Sequence, residues 1–250
     1  MLTKEREQAI LRILKDSNGF VTVAQLCRAL YVSESSVRRD LKTLERQGLV
    51  KHIYGGAQLV GGFSGIITFD HRTRQNVAAK RAIARKAAAL VQDGNIVFLD
   101  QSSTAFYLAE ELANRGSLTV VTNNAEILLL LSRGSAGAVS SGGRLSNENR
   151  NCLLGGDACR TFENIHADIM FFSAHSLSRE GVISDCDREE ILVRNAMMEN
   201  AGKKVFLCDS TKFGTCSPYR QCSLQDVDVL VSETAPDERI DLTGTDVQVL

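Results

Sequence analysis

Residues 32–49 read VSESSVRRDLKTLERQGL. Val37, Leu41 and Leu44 recur at i, i+4 and i+7, the spacing that stacks apolar side chains on one face of an α-helix, and this predicts a helix over Glu34–Gln47. Ser33 stands just ahead, where a hydroxyl can cap the first turn. Opposite the apolar stripe a helical wheel places Ser35, Arg39, Lys42 and Arg46, with Arg38 on one flank and Ser36 and Thr43 on the other. On an arbitrary helix such a face is merely solvated. Its surroundings change that reading. Ile10, Ile13 and Leu14, then Val23, Leu26, Cys27 and Leu30, fall at helical spacing, with Thr22 placed to cap the second run. Two short helices, a tight turn and a third helix that starts with small polar residues form a helix-turn-helix, whose last helix enters the major groove of DNA by its first turns. Arginine suits that position because its planar fork grips guanine edges or phosphate at two points, and serine hydroxyls serve phosphate or either class of base edge.

Beyond the third helix, LVKHIY, the pair Gly55-Gly56 and AQLV read as two strands joined by a glycine turn, a wing whose Lys51 and His52 reach the DNA backbone beside the groove. His52 serves equally well as an ordinary surface residue. The candidate DNA contacts are therefore Ser33, Ser35, Ser36, Arg38, Arg39, Lys42, Thr43, Arg46, Lys51 and His52. Asp40 lies neither on the basic face nor in the apolar stripe. An acid aimed at phosphate would repel it, so Asp40 is assigned an orienting or structural job, such as holding a neighbouring arginine. Charge follows the same division. Residues 1–60 carry ten Lys/Arg against six Asp/Glu, a balance of +4, whereas residues 61–250 carry nineteen against twenty-four, a balance of −5. The overall −1 conceals a basic head on an acidic body.

Gly61–Gly65, GGFSG, is a short join, which gives a DNA-binding head over 1–60, a linker over 61–68 and a second domain over 69–250. In the second domain the pattern alternates. Helices are predicted over Lys80–Val91, Ala105–Asn114, Glu126–Ser132 and Glu189–Asn200, and apolar strands over Ile96–Leu99, Leu118–Val121, Ile169–Ser173, Val205–Cys208 and Val227–Val231, with a weaker strand before Ser141. The fold class is α/β: a mainly parallel sheet covered on both faces, with ligands beyond the carboxyl ends of its strands. Polar residues gather at those ends: Asp100, Ser102, Ser103 and Thr104; Thr122 and Asn123; Gly142 and Gly143; Asp209 and Lys212. Hydroxyls at the start of the helix after Asp100 make an anion site, because exposed N–H groups and the helix dipole favour negative charge, although serine and threonine are also plain N-caps.

The likeness to a known family is now specific. Val32–Leu49 with YGGA at 54–57 resembles the DeoR signature, in which Ser36 and Val37 replace the usual threonine and isoleucine. The resemblance continues through FDHR (69–72), Lys80, the Asp100 loop, the Thr-Asn pair, the Gly-Gly turn, GVISD (181–185), EEILVRNAMM (189–198) and DSTKFG (209–214). It implies a winged helix-turn-helix regulator with a sensor domain similar to ribose-phosphate isomerase-like folds. It further implies a phosphorylated sugar as effector, held by Arg72, Lys80, Asp100, Ser102, Ser103, Thr104, Thr122, Asn123, Gly142, Gly143, Asp209 and Lys212, with Ser102–Thr104 and Lys212 at the phosphate. One departure stands out: Ser102 occupies the place of the family's usual glycine, where a side chain narrows the approach of backbone to phosphate.

No cofactor or metal is expected. The seven cysteines, Cys27, Cys152, Cys159, Cys186, Cys208, Cys216 and Cys222, form no Cys-x-x-Cys pair and have no histidine at zinc-ligand spacing, so they read as reduced packing residues. MLTKEREQ is charged where a secretory signal needs an apolar core, and Ile127–Leu131 is too short to span a bilayer, which points to the cytoplasm and away from membranes. The partners expected are double-stranded operator DNA, a sugar phosphate, and further copies of the chain as a dimer or tetramer, because one recognition helix reads too few bases for genomic selectivity. The competing reading is a sugar-phosphate isomerase-like enzyme with Glu190, Asp209 or Lys212 as acid/base groups. A winged helix gives such an enzyme no evident advantage.

Overall fold

In a computed structural model, which describes residues 3–17, 20–47, 49–53, 56–59, 69–147 and 149–250, the chain divides into two units, Met1–Ile67 and Thr68–Leu250. In the first, α1 (Thr3–Asp16), β1 (Phe20–Thr22), α2 (Val23–Leu30) and α3 (Glu34–Arg46) are followed by a hairpin of β2 (Val50–Ile53) and β3 (Gly56–Leu59). Of the predicted Gly55-Gly56 turn, Gly56 opens β3, while Gly55, the preceding Tyr54 and the GGFSG join lie outside the described residues. β1, absent from the sequence reading, pairs antiparallel with β3, giving a three-stranded sheet of order β1-β3-β2. Ile10 and Leu14 of α1, Leu26 of α2, and Val37, Leu41 and Leu44 of α3 close on Val21, Val50 and Ala57 of the sheet. The stripe read from periodicity is thus the buried face. Thr22 caps α2 through a reciprocal arrangement with Gln25. Ser33 occupies the N-cap position of α3 but makes no cap bond; its Oγ lies 3.0 Å from the hydroxyls of both Ser35 and Ser36. Hydroxyl neighbours outcompete the backbone there.

The second unit begins with α4 (Phe69–Arg74) and α5 (Val77–Ala88). α5 starts earlier than Lys80 because Asn76, in left-handed backbone at φ 50°, turns the chain into it and places Lys80 in its first turn. Then come β4 (Ile96–Leu99), α6 (Ser103–Leu112), β5 (Thr119–Thr122), α7 (Ala125–Leu131), β6 (Gly137–Ser140), β7 (Arg144–Leu145), β8 (Leu153–Leu154) and α8 (Gly156–Glu163). The chain continues through β9 (Ala167–Phe172), β10 (Ser176–Leu177), β11 (Val182–Asp185), α9 (Arg188–Glu199), β12 (Ala201–Leu207), β13 (Tyr219–Ser223), β14 (Val229–Val231) and β15 (Gln248–Val249). Seven of these strands form the central sheet in the order β15-β14-β12-β9-β4-β5-β6, every neighbouring pair parallel. Side chains alternate across it. Val97, Leu99, Val120, Ile169, Phe171, Val205 and Leu207 pack against α5, α6 and α7, while Phe98, Val121, Met170, Phe172 and Phe206 face α8 and α9. Parallel strands buried on both faces carry continuous apolar runs, which is why they were readable. Two small antiparallel sheets, β7-β8 and β10-β11-β13, sit beyond the expected elements. No helix among the described residues is long and apolar enough to cross a membrane.

Candidate functional site

On α3 the side chains of Ser33, Ser35, Arg38, Arg39, Lys42 and Arg46 are exposed and those of Ser36 and Thr43 half-buried. Among the described residues no carboxylate pairs with Arg39, Lys42 or Arg46. Arg38 is held by Glu34 one turn back, at 2.6 and 2.9 Å. Lys51 is exposed on β2, and His52 takes its place in the hairpin opposite Ala57, its side chain lying outside the described residues. Asp40 has the structural role expected of it, with its arginine supplied by another helix. It is 1 % exposed and pairs not with a neighbour on α3 but with Arg6 of α1, whose Nη2 donates to Asp40 Oδ1 at 3.0 Å while Nε donates to Oδ2. This two-pronged bond fixes the angle at which α3 leaves the core.

In the second unit the register brings the strand ends side by side. Leu99 pairs with Thr122, Thr122 with Ser140, and Leu99 with Phe171. Asp100 follows β4 and is fully buried; its Oδ1 accepts from the Ser102 amide at 3.1 Å and its Oδ2 from the Ser173 amide at 3.1 Å. Ser102 sits at φ −73°, an ordinary extended conformation, and its Oγ accepts from the Ala105 amide at 3.1 Å. The serine in place of glycine is therefore unstrained, its side chain folded back as an N-cap. The Ser103 and Thr104 amides, which open α6, have no acceptor within the helix itself. After β5, Thr122 Oγ1 accepts from the Asn124 amide at 3.1 Å, and Asn123 Nδ2 reaches Gln101 Oε1 at 3.4 Å and the Leu153 carbonyl at 3.3 Å. After β6, Gly142 and Gly143 turn the chain at φ 66° and 96° and lie exposed.

A cationic corner forms where β9 and β12 end. Lys212 Nζ donates to Ser173 Oγ at 2.8 Å and stands 3.6 Å from Asp209 Oδ2. Asn76 Nδ2 donates to the same Asp209 at 3.2 Å. Lys80 Nζ donates to the Arg72 carbonyl, and burial, with Lys212 and Arg72 adding to it against Asp209, lowers its ammonium to about 8. Lys212 and Lys80, with Thr211, hold the Asp209 carboxyl below its usual value despite its burial. Arg72, Lys80, Asp209 and Lys212 are thus brought together from segments far apart in the chain.

The sequence reading passed over the support beneath this edge. Arg194, 1 % exposed, donates to Asp185 Oδ2 at 2.9 Å and lies 3.3 Å from Asp100 and 3.7 Å from Glu190. Glu190 in turn accepts from Gln101 at 2.7 Å and from Asn149 at 3.0 Å. Burial raises the carboxyls of Asp100 and Glu190, with Arg194 pulling against it in both and Arg72 also opposing it at Glu190. A charged residue in the middle of the apolar helix EEILVRNAMM was the available signal. The cysteines are all free, and burial pushes the thiols of Cys186, Cys208 and Cys222 up to about 12, which leaves them unreactive.

A winged helix-turn-helix with an exposed basic face, joined in one chain to a parallel α/β domain with polar strand ends, defines a DNA-binding regulator that carries its own sensor domain. Comparison narrows the class: residues 6–61 match the DeoR-like helix-turn-helix domain and residues 75–234 the DeoR C terminal sensor domain. The chain belongs to the DeoR family of transcription regulators. It is 34 % identical to the HTH-type transcriptional regulator GolR of Listeria innocua, over 93 % of this chain and 91 % of the other. It is 32 % identical to the HTH-type transcriptional repressor GlcR of Bacillus subtilis (95 % and 91 %), and 30 % identical to the lactose phosphotransferase system repressor of Staphylococcus aureus (98 % and 98 %). These relatives are named as regulators and repressors, which sets the isomerase reading aside. Among solved structures, ribose 5-phosphate isomerase A of Methanocaldococcus jannaschii follows a similar path over 53 % of this chain and 52 % of its own, at 20 % identity and a TM-score of 0.41.

Proposed function

We propose that this regulator represses a carbohydrate-utilisation operon and that a phosphorylated sugar, bound at the carboxyl edge of the large sheet, changes its hold on operator DNA. The observation that carries the reading is the corner of Arg72, Lys80 and Lys212. Burial first, and then the charges of Lys212 and Arg72 against that of Asp209, lower the Lys80 ammonium, and a dianionic phosphate beside the three cations supplies the countercharge that favours its charged form. Ser103 and Thr104 amides at the start of α6 offer further donors to the same anion. Gly142 and Gly143 contribute backbone, and Asp100 acts by holding the loop rather than by touching ligand. Likeness to a lactose phosphotransferase system repressor supports a sugar operon as the target.

In this reading residues 1–60 hold DNA through Ser33, Ser35, Ser36, Arg38, Arg39, Lys42, Thr43 and Arg46 of the third-helix region and Lys51 and His52 of the wing. Residues 61–68 join this head to the sensor over 69–250, and two or four copies in the cytoplasm set paired α3 helices into successive major grooves. The ligand binds one arrangement of heads better than the other and shifts DNA affinity by the same coupling energy, on the order of 1–3 kcal/mol. The test is a titration of the full chain against a duplex it selects from random DNA, repeated with pentose 5-phosphates and hexose 6-phosphates. At least one sugar phosphate is expected to change the affinity roughly fivefold or more, and its unphosphorylated sugar not at all. Lys212→Ala is expected to bind the duplex normally and lose that response. Absence of any duplex preference at low ionic strength overturns the proposal, as does turnover of the sugar phosphates.

A further inference from the structure

Buried side-chain polar atoms without a hydrogen-bond partner are few in folded proteins, and each calls for a cause. Among the described residues they are Arg72 Nε and Nη2, Asn123 Oδ1, Asn149 Oδ1 and Arg194 Nε. These atoms are not scattered. Asn123 bonds to Gln101, Gln101 to Glu190 and Asn149 to Glu190; Arg194 stands beside Glu190, and Arg72 is the first charge to act on that carboxyl after burial itself. One connected network therefore holds the two asparagine oxygens and Arg194, and Arg72 acts on its central carboxylate through charge. Arg194 Nε already has the Asp100 carboxylate at 3.3 Å, so the unmet demand falls on Arg72 and the two asparagines.

The polarity of that demand is fixed. An asparagine amide that flips exchanges acceptor for donor, but Asn123 Nδ2 is tied to Gln101 Oε1 and the Leu153 carbonyl, and Asn149 Nδ2 to Glu190 Oε1. Flipping either would set oxygen against oxygen. Both Oδ1 atoms must receive hydrogens, while the Arg72 guanidinium must receive oxygens. Inorganic phosphate brings oxygens for the arginine but, as its dianion, a single O–H for the two asparagines. A molecule that meets both demands carries oxygens for Arg72 and hydroxyl hydrogens for the asparagines.

We infer that Asn123 and Asn149 are specificity-determining residues of the ligand site, each Oδ1 accepting a hydrogen bond from a hydroxyl of a polyhydroxylated anion whose oxygens take the Arg72 N–H groups. This rests on the sugar-phosphate reading above and goes beyond it by saying which protein atoms read the hydroxyls. Glu190 is the positioning residue for both amides' neighbourhood: it accepts from Asn149 directly and from Gln101, which holds Asn123. A site built to accept from a hydroxyl rejects the analogue that lacks it, because the acceptor stays buried and unpaired.

The experiment is calorimetric titration of the full chain with ribose 5-phosphate, fructose 6-phosphate and glucose 6-phosphate, with the singly deoxygenated analogues of each, and with inorganic phosphate. For the sugar that binds, two of the deoxy analogues are expected to bind roughly ten- to a hundredfold more weakly than the parent. In Asn149→Ala the parent loses about that factor and the matching deoxy analogue loses no more, so discrimination at that hydroxyl disappears; Asn123→Ala does the same at the other. Should an alanine variant fail to fold, Asn123→Ser or Asn149→Ser, too short to reach the same hydroxyl, takes its place with the same outcome expected. Deoxy analogues that all bind like their parent overturn the inference and leave the sugar-phosphate reading standing. So does discrimination that persists unchanged in both variants. Binding of none of the three sugar phosphates overturns both.

Discussion

Asp40 shows how one side chain serves a surface it never joins. It sits on the DNA-reading helix yet faces inward to Arg6, so its work is to fix the rotation of α3 about its own axis. Removing either partner strands the other, and Asp40→Ala or Arg6→Ala is expected to destabilise the head by roughly 3 kcal/mol, with the double variant costing clearly less than the sum. Urea unfolding of the three variants checks this. Lys80 gives a pH signature of the other unit. Its ammonium, lowered to about 8, is charged below that pH and neutral above it, and an anion binds the charged form. Affinity for a phosphate ligand should hold below about pH 8 and fall up to tenfold per unit above it, while Lys80→Arg, always charged, stays flat. The second phosphate proton, with a pKa near 6, sets the lower end of the window. The basic face of α3 was legible because periodicity alone decides it. The Arg6–Asp40 bond was not, since it depends on how two helices cross, which no local pattern records.

At the level of the element, β4, β5, β9 and β14 were read to within two residues of their ends because a strand buried on both sides must be apolar throughout, whereas β12 begins at Ala201, four residues before the predicted Val205, and the edge strand β15 was not read. The two-residue strands β7, β8 and β10 left no such trace; they are too short for alternation and exist through partners distant in the chain. The turn leading into β7 tests what such small elements require. At Gly143, φ is 96° and an added Cβ would stand 2.4 Å from the Leu154 carbonyl oxygen on the paired strand; at Gly142, φ is 66° and nothing lies within 4 Å. Gly143→Ala is expected to cost roughly 3 kcal/mol and Gly142→Ala about 1, in denaturant unfolding of the full chain. Equal costs would mean that the carbonyl moves aside freely. The sequence marked the Gly-Gly pair but not which of the two is indispensable, because that depends on the strand across from it.

For the whole molecule, the division of charge sets how DNA is approached. A head at +4 is drawn to phosphate and a body at −5 is pushed from it, so the chain meets DNA head first and with strong dependence on salt. Arg39→Ala is expected to weaken duplex binding and to reduce the slope of log K against log salt by about one, and an unchanged slope would remove Arg39 from the contacts. The buried Arg194 bears on how the molecule comes into being. Translation delivers Asp100 to the cell long before Arg194, and until the later residue arrives the earlier carboxylate has no countercharge inside a forming core. The winged head, whose core closes within the first 67 residues, needs nothing from that later stretch of chain. Synthesis from the N-terminus therefore supplies everything the DNA-reading unit requires before the larger unit receives its central cation.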